Sequence, residues 1–151
     1  MTVQFELSTL IRVEPEVVFA ASLDIDAHLA SMESSGERAV GGVTGGSIGL
    51  GESVTWKAKH FGINWTMTSK ITELERPHRF VDEQVRGPFK TFHHEHLFQP
   101  NPNGTTMVDR IVFDAPFGPL GDLVERAVLG EYLPKLIGER NEYLRTELES
   151  R

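Results

Sequence analysis

Apolar and polar positions alternate along most of this chain, and a helical period takes over only near residue 116. Residues 2–13, TVQFELSTLIRV, put Val3, Phe5, Leu7, Thr9, Ile11 and Val13 on one face, which predicts a strand buried on one side. EPEVVFAAS follows. Pro15 between Glu14 and Glu16 marks a helix start there, because proline suits the first turn and the helix dipole favours acids beside it. A second short helix is predicted in DIDAHLASM, capped by Asp24 or Asp26. Six glycines between Gly41 and Gly51 then make a turn-rich or strand-edge segment.

Strand periodicity returns in ESVTWKAKH, where Val54, Trp56, Ala58 and His60 oppose Thr55, Lys57 and Lys59. Beyond a turn at Gly62, Ile63, Trp65, Met67, Ser69 and Ile71 oppose Asn64, Thr66, Thr68 and Lys70. Both patterns fit an antiparallel sheet wet on one side. RFVDEQV is the next strand, but its two faces, Phe80/Asp82/Gln84 and Val81/Glu83/Val85, are too alike to orient it. KTFHHEHLF follows, and QPNPNG turns the chain into TTMVDRIVFDA. After residue 116 a stripe of Leu120, Val124, Ala127/Val128, Leu129, Leu133, Leu136/Ile137, Leu144 and Leu148 predicts a long amphipathic helix, kinked or broken at Pro134. The order is a strand, two short helices, about six strands and a long helix. It predicts an α+β helix-grip fold, a curved antiparallel sheet wrapped around the C-terminal helix, as one domain over residues 1–151.

The sequence KTFHHEHLF concentrates three of the six histidines. With side chains alternating, Phe92, His94, His96 and Phe98 share the more apolar face, leaving His93 and Glu95 to solvent. On the following strand Met107, Asp109, Ile111 and Phe113 share a face, so His94, His96 and Asp109 are expected as neighbours on the concave wall. Two histidines and a carboxylate could ligate iron or zinc. The reading adopted is that they hydrogen-bond one another as the polar end of an apolar pocket, with no metal and no cofactor. His60 shares the Trp56 face, pointing inward or ending its strand at the surface; His28 is read as a surface residue of a short helix, with capping of the pocket mouth as the alternative, and His78 as a loop residue.

Net charge is −7, with no basic cluster to set against it, which argues against nucleic acid and anionic membrane surfaces as partners. The chain has no cysteine, excluding disulfides, thiolate catalysis and sulfur-ligated zinc. The start lacks signal-peptide character and no apolar run reaches membrane-spanning length, so a cytoplasmic location without membrane insertion is expected. The glycine segment has neither phosphate-loop nor dinucleotide spacing, and no serine nucleophile elbow is present.

The segments FELSTLIRVEPEVVFAASLDIDAHL, GPF before the histidine strand, and TTMVDRIVFDAPFGPLG, together with the element order, resemble the START-like (SRPBCC) superfamily. That superfamily includes birch-pollen-allergen-type proteins, polyketide cyclases and aromatases, and lipid carriers. The resemblance covers nearly the whole chain and implies a cavity between sheet and long helix for an apolar small molecule. The expected function is binding of a hydrophobic ligand (lipid, isoprenoid or polyketide-like), with a homodimer left open. The ligand contacts expected are Trp56, His60, Trp65, Met67, Phe92, His94, His96, Asp109, Ile111 and Phe113. The alternative is a cyclase or dehydratase in which His94 and Asp109 supply a general base.

Overall fold

The computed structural model describes residues 2–115, 118, 119, 121 and 132–151. Strand β1 (Thr2–Ile11) leads into α1 (Pro15–Ser22), α2 (Ile25–Ser31) and a single 3₁₀ turn (Glu33–Ser35). Strands β2 (Arg38–Gly42), β3 (Ser53–His60), β4 (Ile63–Glu75), β5 (Arg79–Arg86), β6 (Thr91–Asn101) and β7 (Gly104–Asp114) follow, and α3 (Tyr132–Glu149) ends the chain. The seven strands form one antiparallel sheet in the order β1-β7-β6-β5-β4-β3-β2, so β1 closes against β7 while every other neighbour is sequential. This is the α+β helix-grip arrangement that the element order predicts. The stripe positions Leu120 to Leu129 lie outside the described residues, whereas Pro134 sits in the first described turn of α3, which runs on unbroken to Glu149. Among the described residues, no helix is long and apolar enough to cross a membrane.

Local chemistry sets the element ends. Pro15 occupies the first turn of α1, and the Asp24 carboxylate accepts from the Ala27 amide at 3.1 Å to cap α2. Gly42 ends β2 with φ +68°, and a Cβ there would lie 2.1 Å from the Ser53 carbonyl oxygen, so only glycine fits against β3. The turn QPNPNG is tighter than the sequence suggests: β6 runs to Asn101, and only Pro102 and Asn103 separate it from β7.

Two apolar clusters fill the space between sheet and helices. One gathers Ile11, Phe19, Phe80, Phe98, Met107 and Leu144. The other gathers Phe92, Ile111, Phe113 and Ile137. In the first, Phe19 of α1 meets Phe80 and Phe98 edge-on, with ring centroids 5.7 and 5.2 Å apart. The side chain of Phe19 is wholly buried, so Phe19→Ala should lower the unfolding free energy by about 3–5 kcal/mol. Urea denaturation would check this; a loss under about 1 kcal/mol would mean that α1 is not part of the cooperative core.

Candidate functional site

Between the sheet and the helices lies a cavity of about 600 Å³. Its walls are mainly apolar, with Trp56, Ala58, Trp65, Met67 and Ile71 of β3 and β4 on one side and Leu133, Leu136 and Ile137 of α3 on the other. Asp82, His94, His96 and Arg140 form its polar boundary.

These four belong to a polar belt that separates the two apolar clusters. Along β6 the inward residues run Phe92, His94, His96, Phe98, and along β7 Phe113, Ile111, Asp109, Met107. Along α3 they run Ile137, Arg140/Asn141, Leu144. Each element therefore passes from apolar to polar and back to apolar, and the polar steps meet at one level.

Register places Asp82 opposite His94 and Asp109 opposite His96. The hydrogen bonds cross these pairings. His94 Nε2 lies 2.7 Å from Asp109 Oδ1, and His96 Nε2 lies 2.6 Å from Asp82 Oδ2. The imidazoles stack with centroids 3.7 Å apart and planes 18° apart, and Phe80 covers the other face of His96 at 4.1 Å. From α3, Arg140 Nη2 donates to Asp109 Oδ1 at 2.8 Å, and Asn141 Nδ2 donates to Asp109 Oδ2 at 2.7 Å. Arg140 also donates from Nε and Nη2 to Asn141 Oδ1, and Asn141 reaches Thr9 of β1 at 3.3 Å.

Burial alone would raise the Asp109 carboxyl. The Arg140 guanidinium and the His94 hydrogen bond outweigh burial and hold it well below the usual carboxylate range. Asp82 follows the same logic: burial opposes ionisation, while the hydrogen bond from His96 and the charges around it favour it, with a net downward shift. An ionised carboxylate only accepts, so both Nε2 atoms carry a proton, and in an uncharged ring Nδ1 is then a lone pair. For His96 that lone pair is buried and has no hydrogen-bond partner among the described residues, 3.6 Å from Asp109 Oδ1. Burial, with His94 stacked beside it, holds the His96 imidazole down to about 4 despite its bond to Asp82. Two cations at that ring separation would repel by about 4 kcal/mol at an effective dielectric of about 20.

Donor atoms of Asp82, His94 and His96 lie within 4.8 Å of one another, a set that could hold a metal ion. The near-parallel rings point their nitrogens side by side rather than toward one point, and Asp82 is already bonded to His96. Seating an ion would require that bond to open and a ring to turn, since ligands must converge to about 2.0 Å from the metal.

At the far side of the cavity are His28, Glu37, His60 and Tyr132. His28 Nε2 lies 2.6 Å from Glu37 Oε1 and stacks on Trp56 at 4.4 Å. His60 Nδ1 is hydrogen-bonded to the Tyr132 hydroxyl. Burial lowers the His60 imidazole, with Glu37 opposing, and burial together with the charge of Glu139 raises the Tyr132 phenol.

The family model for polyketide cyclase / dehydrase and lipid transport matches residues 2–149. The chain belongs to that family. No curated protein matches it, but solved structures share its fold at low identity. The Zhui aromatase/cyclase from Streptomyces sp. R1128 is 14% identical, with 100% of this chain and 96% of that chain covered and a TM-score of 0.80. TTHA0849 from Thermus thermophilus is 18% identical over 95% and 97% of the two chains, at 0.70. The ginseng major latex-like protein 151 from Panax ginseng is 14% identical over 94% and 97%, at 0.63.

For this member of the polyketide cyclase / dehydrase and lipid transport family, Trp56, His60, Trp65, Met67, Phe92, His94 and His96 line the cavity as the alternation suggests. Asp109, Ile111 and Phe113 share the inward face of β7 but are wholly buried behind the cavity wall. His28 lines the cavity, the alternative to the surface position preferred from the sequence, because α2 tips it onto Trp56. Alternation left Asp82, Arg140 and Asn141 unassigned. The last two had a signal: between Ile137 and Leu144 an apolar stripe calls for an apolar residue at 140 or 141, and Arg-Asn stands there.

The belt fixes a pH dependence. His96 ordinarily titrates near 6.5 and is held down to about 4 in the fold. Below 6.5 the unfolded chain takes up a proton that the folded chain refuses, so stability present above that pH is lost as pH falls toward 4. The loss is about 3 kcal/mol. The depressed Asp82 and Asp109 carboxyls act in the same direction at lower pH, below the unfolded value near 4. His96→Gln keeps a donor for Asp82 but does not titrate. Urea unfolding at about pH 7 and about pH 4.5 should therefore show a loss smaller in the variant by about 2–3 kcal/mol. Equal losses would place the His96 ring in water.

Proposed function

We propose that the protein binds a hydrophobic small molecule (a lipid, isoprenoid or polyketide-like compound) in the cavity between sheet and α3. The observation that carries this reading is a mainly apolar cavity of about 600 Å³ with a polar belt along one side. That size and balance suit a drug-sized ligand oriented by a few polar contacts. At the belt, Arg140 Nη1, Asp82 Oδ1 and His94 Nδ1 make no hydrogen bond within the described residues, while their neighbouring atoms are engaged. A ligand's polar group can therefore be oriented by atoms that the fold leaves available. The apolar body supplies affinity: burying on the order of 300 Å² of apolar surface gains about 7 kcal/mol before association costs.

Both tryptophans of the chain line the cavity, so intrinsic fluorescence reports its occupancy. Native mass spectrometry of the purified protein should show an organic adduct that leaves on denaturation. The double variant His94→Phe/His96→Phe should keep apolar binding and change ligand selectivity. Unchanged affinity for every compound that binds the parent would remove the belt's role.

A second reading, a cyclase or dehydratase, is favoured by one specific observation. Two Asp–His pairs border the cavity, each with its carboxylate on Nε2, and the Nδ1 of His94, unlike that of His96, is not sealed in the interior. Such an imidazole can take a proton alpha to a ligand carbonyl. On this reading the protein accelerates deuterium exchange alpha to the carbonyl of a bound ketone in heavy water, followed by NMR, and His94→Ala or Asp109→Asn abolishes the acceleration. Exchange no faster than in buffer would exclude it.

A further inference from the structure

Beyond the belt, the cavity lining carries further polar side chains, among them the His28–Glu37 pair and the His60–Tyr132 pair. The belt lies on β5, β6 and α3, whereas His60 and Tyr132 stand at the end of β3 and the start of the described part of α3. Three strand steps separate β6 from β3, about 14 Å measured along the sheet. Between them the wall is Trp56, Trp65, Met67 and Ile71, interrupted by the single hydroxyl of Ser69. A ligand filling this space lays an apolar body across β4 and brings its two ends to polar groups.

The character of the His60–Tyr132 pair is specific. His60 Nδ1 and the Tyr132 hydroxyl engage each other, which leaves His60 Nε2, donor or acceptor according to the tautomer, without a hydrogen bond among the described residues of a ring that lines the cavity. The shifts of both groups favour their uncharged forms near neutral pH. An uncharged pair that can present either polarity suits a hydroxyl, which also donates and accepts. The pair is held in place: the Phe61 ring packs on Tyr132 at 4.5 Å, and the Trp65 indole donates to the His60 carbonyl at 3.1 Å. At the belt, Asp82 Oδ1 and His94 Nδ1 accept while Arg140 Nη1 donates, again the complement of a hydroxyl.

We propose that the cavity carries a second polar subsite, the His60–Tyr132 pair, and selects an elongated, rigid apolar molecule with a hydroxyl at each end. The inference rests on the cavity-binding reading and adds the class of ligand to it. Three stilbenes test it by quenching of the two cavity tryptophans: one with a hydroxyl on each ring, one with a single hydroxyl, and stilbene itself. Each hydroxyl should tighten binding about tenfold, the worth of one net hydrogen bond in a buried site. Tyr132→Phe, and independently His60→Gln, should bring the dihydroxy compound to the affinity of the monohydroxy one and leave stilbene unchanged. Similar affinity for all three in the parent protein would overturn the two-ended ligand and leave cavity binding intact. Unaltered ratios in both variants would remove the second subsite. Binding of none of the three would overturn the inference together with the reading beneath it.

Discussion

A carboxylate with no exposure to water has to be met by donors, and Asp109 is such a group. Three reach it, from His94 on β6 and from Arg140 and Asn141 on α3, and Asn141 extends the contact to Thr9 on β1. One side chain thus fixes the depth at which the helix docks and its rotation relative to three strands. Sliding α3 by one turn would strand a buried carboxylate and a buried guanidinium, a loss of several kcal/mol. Apolar contacts between Leu144, Leu148 and the sheet carry no comparable penalty for a shifted register, since one apolar neighbour replaces another at modest cost. The belt therefore contributes specificity of docking more than net stability, because the desolvation of its charges offsets much of their attraction.

The same belt accounts for the open volume beside it. Covering Asp82, His94 and Arg140 with apolar side chains would leave Arg140 Nη1 and Asp82 Oδ1 dehydrated without partners, at about 1–3 kcal/mol for each group and more for a charged one. The core on the β3–β4 side can close over Ile71 and Val54 but not over the belt without that cost. An unfilled space between a polar edge and tryptophan walls avoids it, and leaves room for a molecule with matching polarity. The cavity follows from where the charges stand as much as from the curvature of the sheet.

Alternation was enough to read β1, β3, β4, β6 and β7, because each has one face clearly more apolar than the other. It brought His94, His96 and Asp109 together, and the bond between His94 and Asp109 is the one expected of buried polar neighbours. Alternation failed on β5, where Phe80 and Val81 stand on opposite faces and are both buried, so period two has no sign to read. Asp82 points inward because pairing with β6 sets it against His94, a long-range fact that no window along the chain contains. The crossing of the hydrogen bonds was likewise hidden: register puts Asp109 opposite His96, but ring stacking sends His96 to Asp82 instead. The partners of Asp109 on α3 were legible in principle, as two polar residues interrupting an apolar stripe.

The arrangement also divides labour within the belt, whichever reading of the cavity holds. Asp109 has both oxygens engaged and no exposure, so it holds His94 in one tautomer and cannot itself reach a ligand. His96 is held uncharged near neutral pH, its Nδ1 sealed between rings and carboxylate, which suits a fixed neighbour better than a proton carrier. That leaves His94 Nδ1, Asp82 Oδ1 and Arg140 Nη1, each anchored through another atom, as the atoms able to answer a bound group. Two acceptors and one donor held in this way orient a hydroxyl in a binding protein. Beside a ligand carbonyl, the same Arg140 donor would stabilise a developing enolate while His94 took the proton. Under the two proposed readings the belt is the same, and only the chemistry of the ligand differs.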